Sequence, residues 1–156
     1  MNLYIRQRVL ALTDTFDVYN EAGQSVYRVQ NELFRIAHRL TVCDMAGREL
    51  ALVKQRFFAL LPAFELYTGG VLRATMHKEL TLFSPRYYFD GLDWELEGDF
   101  FSHSYRMADG SGRELMRLEK AYFTFSDSYE LSVAPGADPL FCLLTVLAID
   151  AANCGN

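Results

Sequence analysis

Apolar and polar residues alternate with a period of two along most of the chain, the signature of strands with one buried face. Leu92, Trp94 and Leu96 alternate with Asp93, Glu95 and Glu97, and Tyr129, Leu131 and Val133 alternate with Glu130 and Ser132. The pattern also recurs on a longer scale. The stretch from Gly23 to Phe34 aligns with Gly47 to Phe58 and with Gly112 to Phe123, and the last two share Gly-Arg-Glu-Leu. A weaker relative surrounds Gly69-Gly70 and ends at Leu82-Phe83. Each copy follows a short strand-like segment: Phe16–Tyr19, Leu40–Cys43, Phe64–Tyr67 and Ser104–Met107. The unit is strand, glycine turn, strand.

The turns have a mechanism. Asn20-Glu21-Ala22-Gly23 and Asp44-Met45-Ala46-Gly47 place Asn or Asp first and Gly last. That order suits a type I turn closed by a glycine in the left-handed region, where a Cβ would clash. Asp109-Gly110-Ser111-Gly112 reads as a looser version of the same hairpin. Turn signals at this spacing predict about twelve short strands in a sandwich or barrel.

The C-terminus breaks the pattern. Pro135-Gly136-Ala137 interrupts the strands, Asp138 supplies a capping oxygen and Pro139 suits the first helical position. Leu140 to Ile149 is then apolar except for Thr145. A helix apolar on every side must be surrounded by protein or lipid, and the stretch from Leu140 to Ala152 is too short for a bilayer. Strands and helix constrain each other. Eight strands fill their own barrel with side chains, whereas about twelve leave a central hole that one helix would plug. The chain therefore predicts a mainly β fold: a closed antiparallel barrel of about twelve strands around a buried C-terminal hydrophobic helix. It reads as one domain spanning 1–156, with strands over 1–134 and the central helix over 138–152. A barrel that needs its last segment as a core finishes folding only when that segment inserts.

Composition narrows the function classes. The 156 residues are 51% hydrophobic and 22% charged, which excludes a disordered chain. A net charge of −5 argues against a broad nucleic-acid face. Cys43, Cys142 and Cys154 form neither a disulfide framework nor a zinc motif, and a cytoplasmic setting is expected. The N-terminal residues carry no apolar run of signal-peptide length.

The order of features resembles the LURP-one-related proteins, within the tubby C-terminal-like superfamily that includes the phospholipid scramblases. The matching pieces are the repeats closing in Leu33-Phe34 and Phe57-Phe58, the segment Trp94 to Phe100, the glycine hairpins, Phe125-x-Asp127-x-Tyr129, and the final apolar helix ending Ala148-Ile149-Asp150. The resemblance implies a closed barrel of about twelve strands around a C-terminal helix, the architecture also reached from the strand and helix patterns. Relatives in the superfamily bind phosphoinositide head groups through a basic pocket or associate with membranes, while the LURP-one-related branch has no agreed biochemical activity and no invariant catalytic constellation to carry over. The cysteine-rich stretch and spanning helix that hold scramblases to the membrane are missing here.

Candidate chemistry centres on basic residues. Arg6 and Arg8 share a face of the opening strand, as do Lys54 and Arg56, while Arg35, His38 and Arg39 fall in the connection between the first two repeats. If the first five strands are neighbours, Arg6, Arg8, Arg35, Arg39, Lys54 and Arg56 could converge on an anion such as a lipid head group. Solvated strand charge is the competing reading. The acidic run Asp90, Asp93, Glu95, Glu97 and Asp99 reads as a polar outer face opposite Leu92, Trp94 and Leu96. His38, His77 and His103 have no metal-binding spacing, and Ser102-His103-Ser104 is weak support for a nucleophile and base, because strand neighbours face opposite ways. The aromatic residues read as core. Asp150 opposes the dipole at the helix end, which implies either access to solvent at the barrel mouth or a basic partner.

These patterns point to a non-enzymatic binding domain for an anionic ligand such as a phospholipid or phosphoinositide head group, peripheral to a membrane. The alternative is a protein–protein scaffold, and a hydrolase at the barrel mouth ranks third. No cofactor, metal, nucleic-acid partner or transmembrane segment is expected.

Overall fold

A computed structural model of the chain describes residues 1–6, 15–32, 37–57, 59–99, 102–121 and 128–153. Twelve strands close into an antiparallel barrel: β1 (Asn2–Arg6), β2 (Thr15–Tyr19), β3 (Ser25–Asn31), β4 (Arg39–Cys43), β5 (Glu49–Gln55), β6 (Ala63–Thr68), β7 (Val71–Lys78), β8 (Arg86–Asp90), β9 (Glu95–Asp99), β10 (Ser104–Ala108), β11 (Glu114–Ala121) and β12 (Ser128–Val133). Each pairs with its sequence neighbours, and β1 closes the ring on β12 from Asn2↔Ser132 to Arg6↔Ser128. The seam between β1 and β2 is thin, with one register pair, Tyr4↔Tyr19, among the described residues.

Three hairpins share one turn design. Asn20, Asp44 and Asp109 each accept from two backbone N–H groups through one side-chain oxygen, at 2.9 to 3.1 Å. Their carbonyls accept from Gly23, Gly47 and Gly112, whose φ angles are 75°, 86° and 86°. A register shift follows in each pair, at Val18/Tyr19, Val42/Cys43 and Met107/Ala108. The third hairpin is thus as tight as the other two, because Asp109 supplies the oxygen whatever residues lie between it and the glycine. The strand expected from Leu92 begins only at Glu95; Leu92 and Trp94 approach it through a turn at Gly91 and pack half-buried on the core.

Inward positions fill the lumen together with the helix α1 (Pro139–Asn153). Asp138 caps it, its Oδ1 accepting from the Leu140 N–H at 3.0 Å. Eleven of the fifteen helical residues, from Phe141 through Ile149 and then Ala151 and Ala152, are buried. Fifteen residues at about 1.5 Å each make a rod of about 22 Å, close to the span of a seven-residue strand. Helix and barrel are matched in height. Thr145, the polar residue in this run, is fully buried and returns its hydroxyl to the Phe141 carbonyl at 3.1 Å. Trp94 closes the lumen beside the first helical turn, edge-on to Phe141 with ring centroids 5.3 Å apart.

Antiparallel order sorts the connections. The turns after β2, β4, β6, β8 and β10, together with the start of α1, lie at one end of the barrel. The longer connections after β5 and β7, and the last helical turn, lie at the other.

Candidate functional site

The expected cluster of cations is brought together only in part. Arg39 opens β4 rather than lying in the preceding connection, because its backbone pairs with Lys54 on β5. Leu40 and Val53 beside them are fully buried, so strand alternation turns Arg39 and Lys54 to the outer face. Arg56 follows β5 directly and is exposed. Arg6 ends β1, with β2 and β3 standing between that strand and β4. Arg8, Arg35 and the Arg6 side chain lie outside the described residues.

The outer face of β4, β5 and β6 holds an open groove of about 430 Å³ lined by Arg39, Leu52, Lys54, Tyr67, Glu49 and Gly70, among others. Arg39 Nε is 3.0 Å from Glu32 and Arg56 Nε is 3.6 Å from Glu65, so both guanidinium groups already face a carboxylate. Lys54 forms no ion pair among the described residues; its ammonium stands 6.0 Å from the centre of the Tyr67 ring. The Tyr67 hydroxyl donates to Glu65 at 3.2 Å, and burial together with the Glu65 charge raises the phenol's pKa. The groove thus offers one uncommitted ammonium beside an aromatic ring and a paired arginine. That suits weak binding of a phosphate or carboxylate.

The acidic run behaves as solvated charge. Glu95, Glu97 and Asp99 are exposed, Arg86 lies 2.7 Å from Glu97 and 3.9 Å from Glu95, and Asp90 accepts from His77 Nε2 at 2.7 Å. His77 stacks on Tyr88 with ring centroids 4.9 Å apart, outside the barrel. The Ser102 and Ser104 hydroxyls bond each other at 2.7 Å, while His103 sits in a left-handed turn with φ 51°. Among the described residues no histidine bonds a hydroxyl or thiol, and no His/Cys/Asp/Glu group is arranged to hold a metal.

The end of the barrel holding the last helical turn carries several polar groups. Asp150 is half-buried and has no ion pair among the described residues; burial pushes its carboxyl up to about 6. Neither expected outcome for this residue is met in full. Asn153 Nδ2 donates to the Tyr105 hydroxyl at 3.4 Å, and burial raises the Tyr105 phenol. The Tyr87 hydroxyl is buried without a partner among the described residues, and desolvation raises its pKa strongly.

The assignment of aromatics to the core fails at this same end. Phe57, which closes the second repeat, is 52% exposed, and Phe83 is 87% exposed. The signal available in the sequence was the run of apolar residues uninterrupted by alternation at 57–62, which no inward-facing strand position could absorb.

The architecture is a helix-filled twelve-stranded barrel with an open groove on its outer face. A family model for LURP-one-related proteins matches residues 1–150, and the chain belongs to that family. An uncharacterized protein of Bacillus subtilis (strain 168), YxjI, is 27% identical over 150 residues, which cover 96% of this chain and 92% of that one. The X-ray structure of a protein from Arabidopsis thaliana superposes with a TM-score of 0.70 at 16% identity, covering 97% of this chain and 90% of that one, and so shares the fold. Among the described residues no helix is long and apolar enough to cross a membrane.

Proposed function

We propose that the chain is a non-enzymatic binding domain that takes an anionic head group, a phosphate ester, in the outer groove between Arg39 and Lys54. One observation carries this reading: Lys54, cross-strand from Arg39 on one side and from Glu65 on the other, is a groove cation that forms no ion pair among the described residues. The lumen is taken up by the helix, which is buried along its whole middle. The net charge of −5 sets the scale of the interaction, because the protein as a whole repels anions and only a local contact can overcome that.

Co-sedimentation with phosphatidylserine and phosphatidylcholine vesicles, beside calorimetric titration with inorganic phosphate, tests it. The wild type should bind phosphatidylserine vesicles more tightly at low salt than at high salt, Lys54→Glu should abolish that difference, and Lys54→Arg should keep it. Heat on titrating phosphate alone would make a free anion the ligand. Salt-independent binding, or a Lys54→Glu variant equal to wild type, would overturn the reading.

A further inference from the structure

We infer that the two loops following β5 and β7 form a wedge that inserts into the surface of a lipid bilayer. This goes beyond the head-group groove and stands on other residues. The loop after β5 exposes Leu60 fully and Phe57 and Leu61 in part, and the loop after β7 leaves Leu80, Leu82 and Phe83 exposed by 86%, 90% and 87%. Fully exposed large apolar side chains are ordinarily scattered singly over a soluble protein; several together mark a surface that meets something apolar. The opposite end of the barrel also shows apolar residues, Met45, Val71 and Leu72, but none exceeds 62%.

The two loops form one feature. Their roots are tied, the Lys78 N–H donating to the Pro62 carbonyl at 3.1 Å across the β6–β7 hairpin. The Arg56 N–H donates to Ala63 at 2.8 Å and the Glu79 N–H to Arg86 at 2.8 Å, so each loop springs from a closed pair of strands. Pro62 and Pro85 end the loops where a strand begins, which fixes the backbone as the chain turns back.

Shape and charge choose the occupant. Side chains this exposed, Leu60, Leu80, Leu82 and Phe83, stand clear of the rest of the protein. A fluid acyl layer moulds itself around separate projections, and each inserted leucine or phenylalanine leaves water entirely. At the roots of the loops stand Arg56, which faces Glu65, and Lys78. Residues 57–62 carry no charge and residues 79–85 carry only Glu79. Uncharged apolar tips above roots where Arg56 and Lys78 carry long aliphatic stems match the layering of a bilayer surface.

Flotation of the full chain with pure phosphatidylcholine vesicles tests the wedge without help from an anionic lipid. Wild type should float, and Leu60→Ser/Leu82→Ser/Phe83→Ser should bind at least about tenfold more weakly. Because those side chains are exposed, the thermal midpoint of the triple variant should match wild type. A matching triple at the other end, Met45→Ser/Val71→Ser/Leu72→Ser, should float like wild type, and so should Lys54→Glu, which separates the wedge from the groove. A wild type left at the bottom of the gradient, or a loop variant that floats equally well, overturns the inference. So does a wild-type dimer converted by the loop variant into a monomer with flotation unchanged, since the loops would then join two copies.

Discussion

Gly98 yields its space to Tyr105. A methyl group on Gly98 would lie 2.5 Å from Tyr105 Cε1 and 2.7 Å from Pro85 Cγ, on paired strands where Tyr105 and Gly98 are register partners. The ring leans across the bare backbone and carries its hydroxyl to Asn153 on the central helix. Gly98→Ala should therefore cost about 1–3 kcal/mol in urea denaturation, because neither a half-buried ring nor a buried proline can step aside cheaply. A variant as stable as wild type would mean the ring has another resting place.

Asp150 gives the fold a pH dependence. Its carboxyl titrates near 6 in the folded protein, raised by burial, and near 3.9 in an unfolded chain. Between those values the native state holds a proton that the unfolded state has released, so stability falls as pH rises through the window and levels off above it. Asp150→Asn should match wild type near pH 4 and exceed it by about 1–3 kcal/mol at pH 7 and above. Denaturation at the two pH values reads this directly; a gain that persists in full at low pH would assign the effect to something other than the charge.

Tyr87 is 1% exposed and its hydroxyl meets no partner among the described residues. A buried oxygen that gives up water for nothing is a cost, so Tyr87→Phe should stabilise the protein by about 1 kcal/mol. A loss of stability would reveal a partner for that hydroxyl.

Leu144, at 0% exposure in the middle of α1, contacts the lumen on a helix with no outward face. Leu144→Ala should cost about 2–5 kcal/mol, the price of a cavity the barrel wall cannot collapse to fill. Unfolding should remain a single transition, because helix and wall share one core; loss of helical signal ahead of the sheet would contradict that.

The fold was largely legible in the residues, and for a physical reason. Period-two alternation, a left-handed glycine in each main hairpin, and an apolar helix too short for a bilayer are local signals that agree with one another. The site was legible only in its parts. Arg39 and Lys54 could be nominated by charge, but their pairing depends on register, which a shift at Val42/Cys43 helps set. The carboxylates that neutralise Arg39 and Arg56, Glu32 and Glu65, come from a neighbouring strand or its end, and no spacing along the chain announces them. The exposed phenylalanines misled for a related reason. Hydrophobicity predicts burial on average, and only the strand ends decide which aromatic residue lands in a loop.

The proposed lipid contact of the loops after β5 and β7 is tested most directly by a fluorescent probe placed on one of them. Cys43 and Cys142 are buried, with the Cys142 thiol pushed up to about 12, so neither should label in the native protein. In a Cys154→Ser background, an environment-sensitive dye on Leu82→Cys should shift to the blue and brighten when phosphatidylcholine vesicles are added. The same dye on Met45→Cys, at the opposite end of the barrel, should not respond. An unchanged spectrum at position 82, or an equal response at both positions, would contradict lipid contact through the loops after β5 and β7.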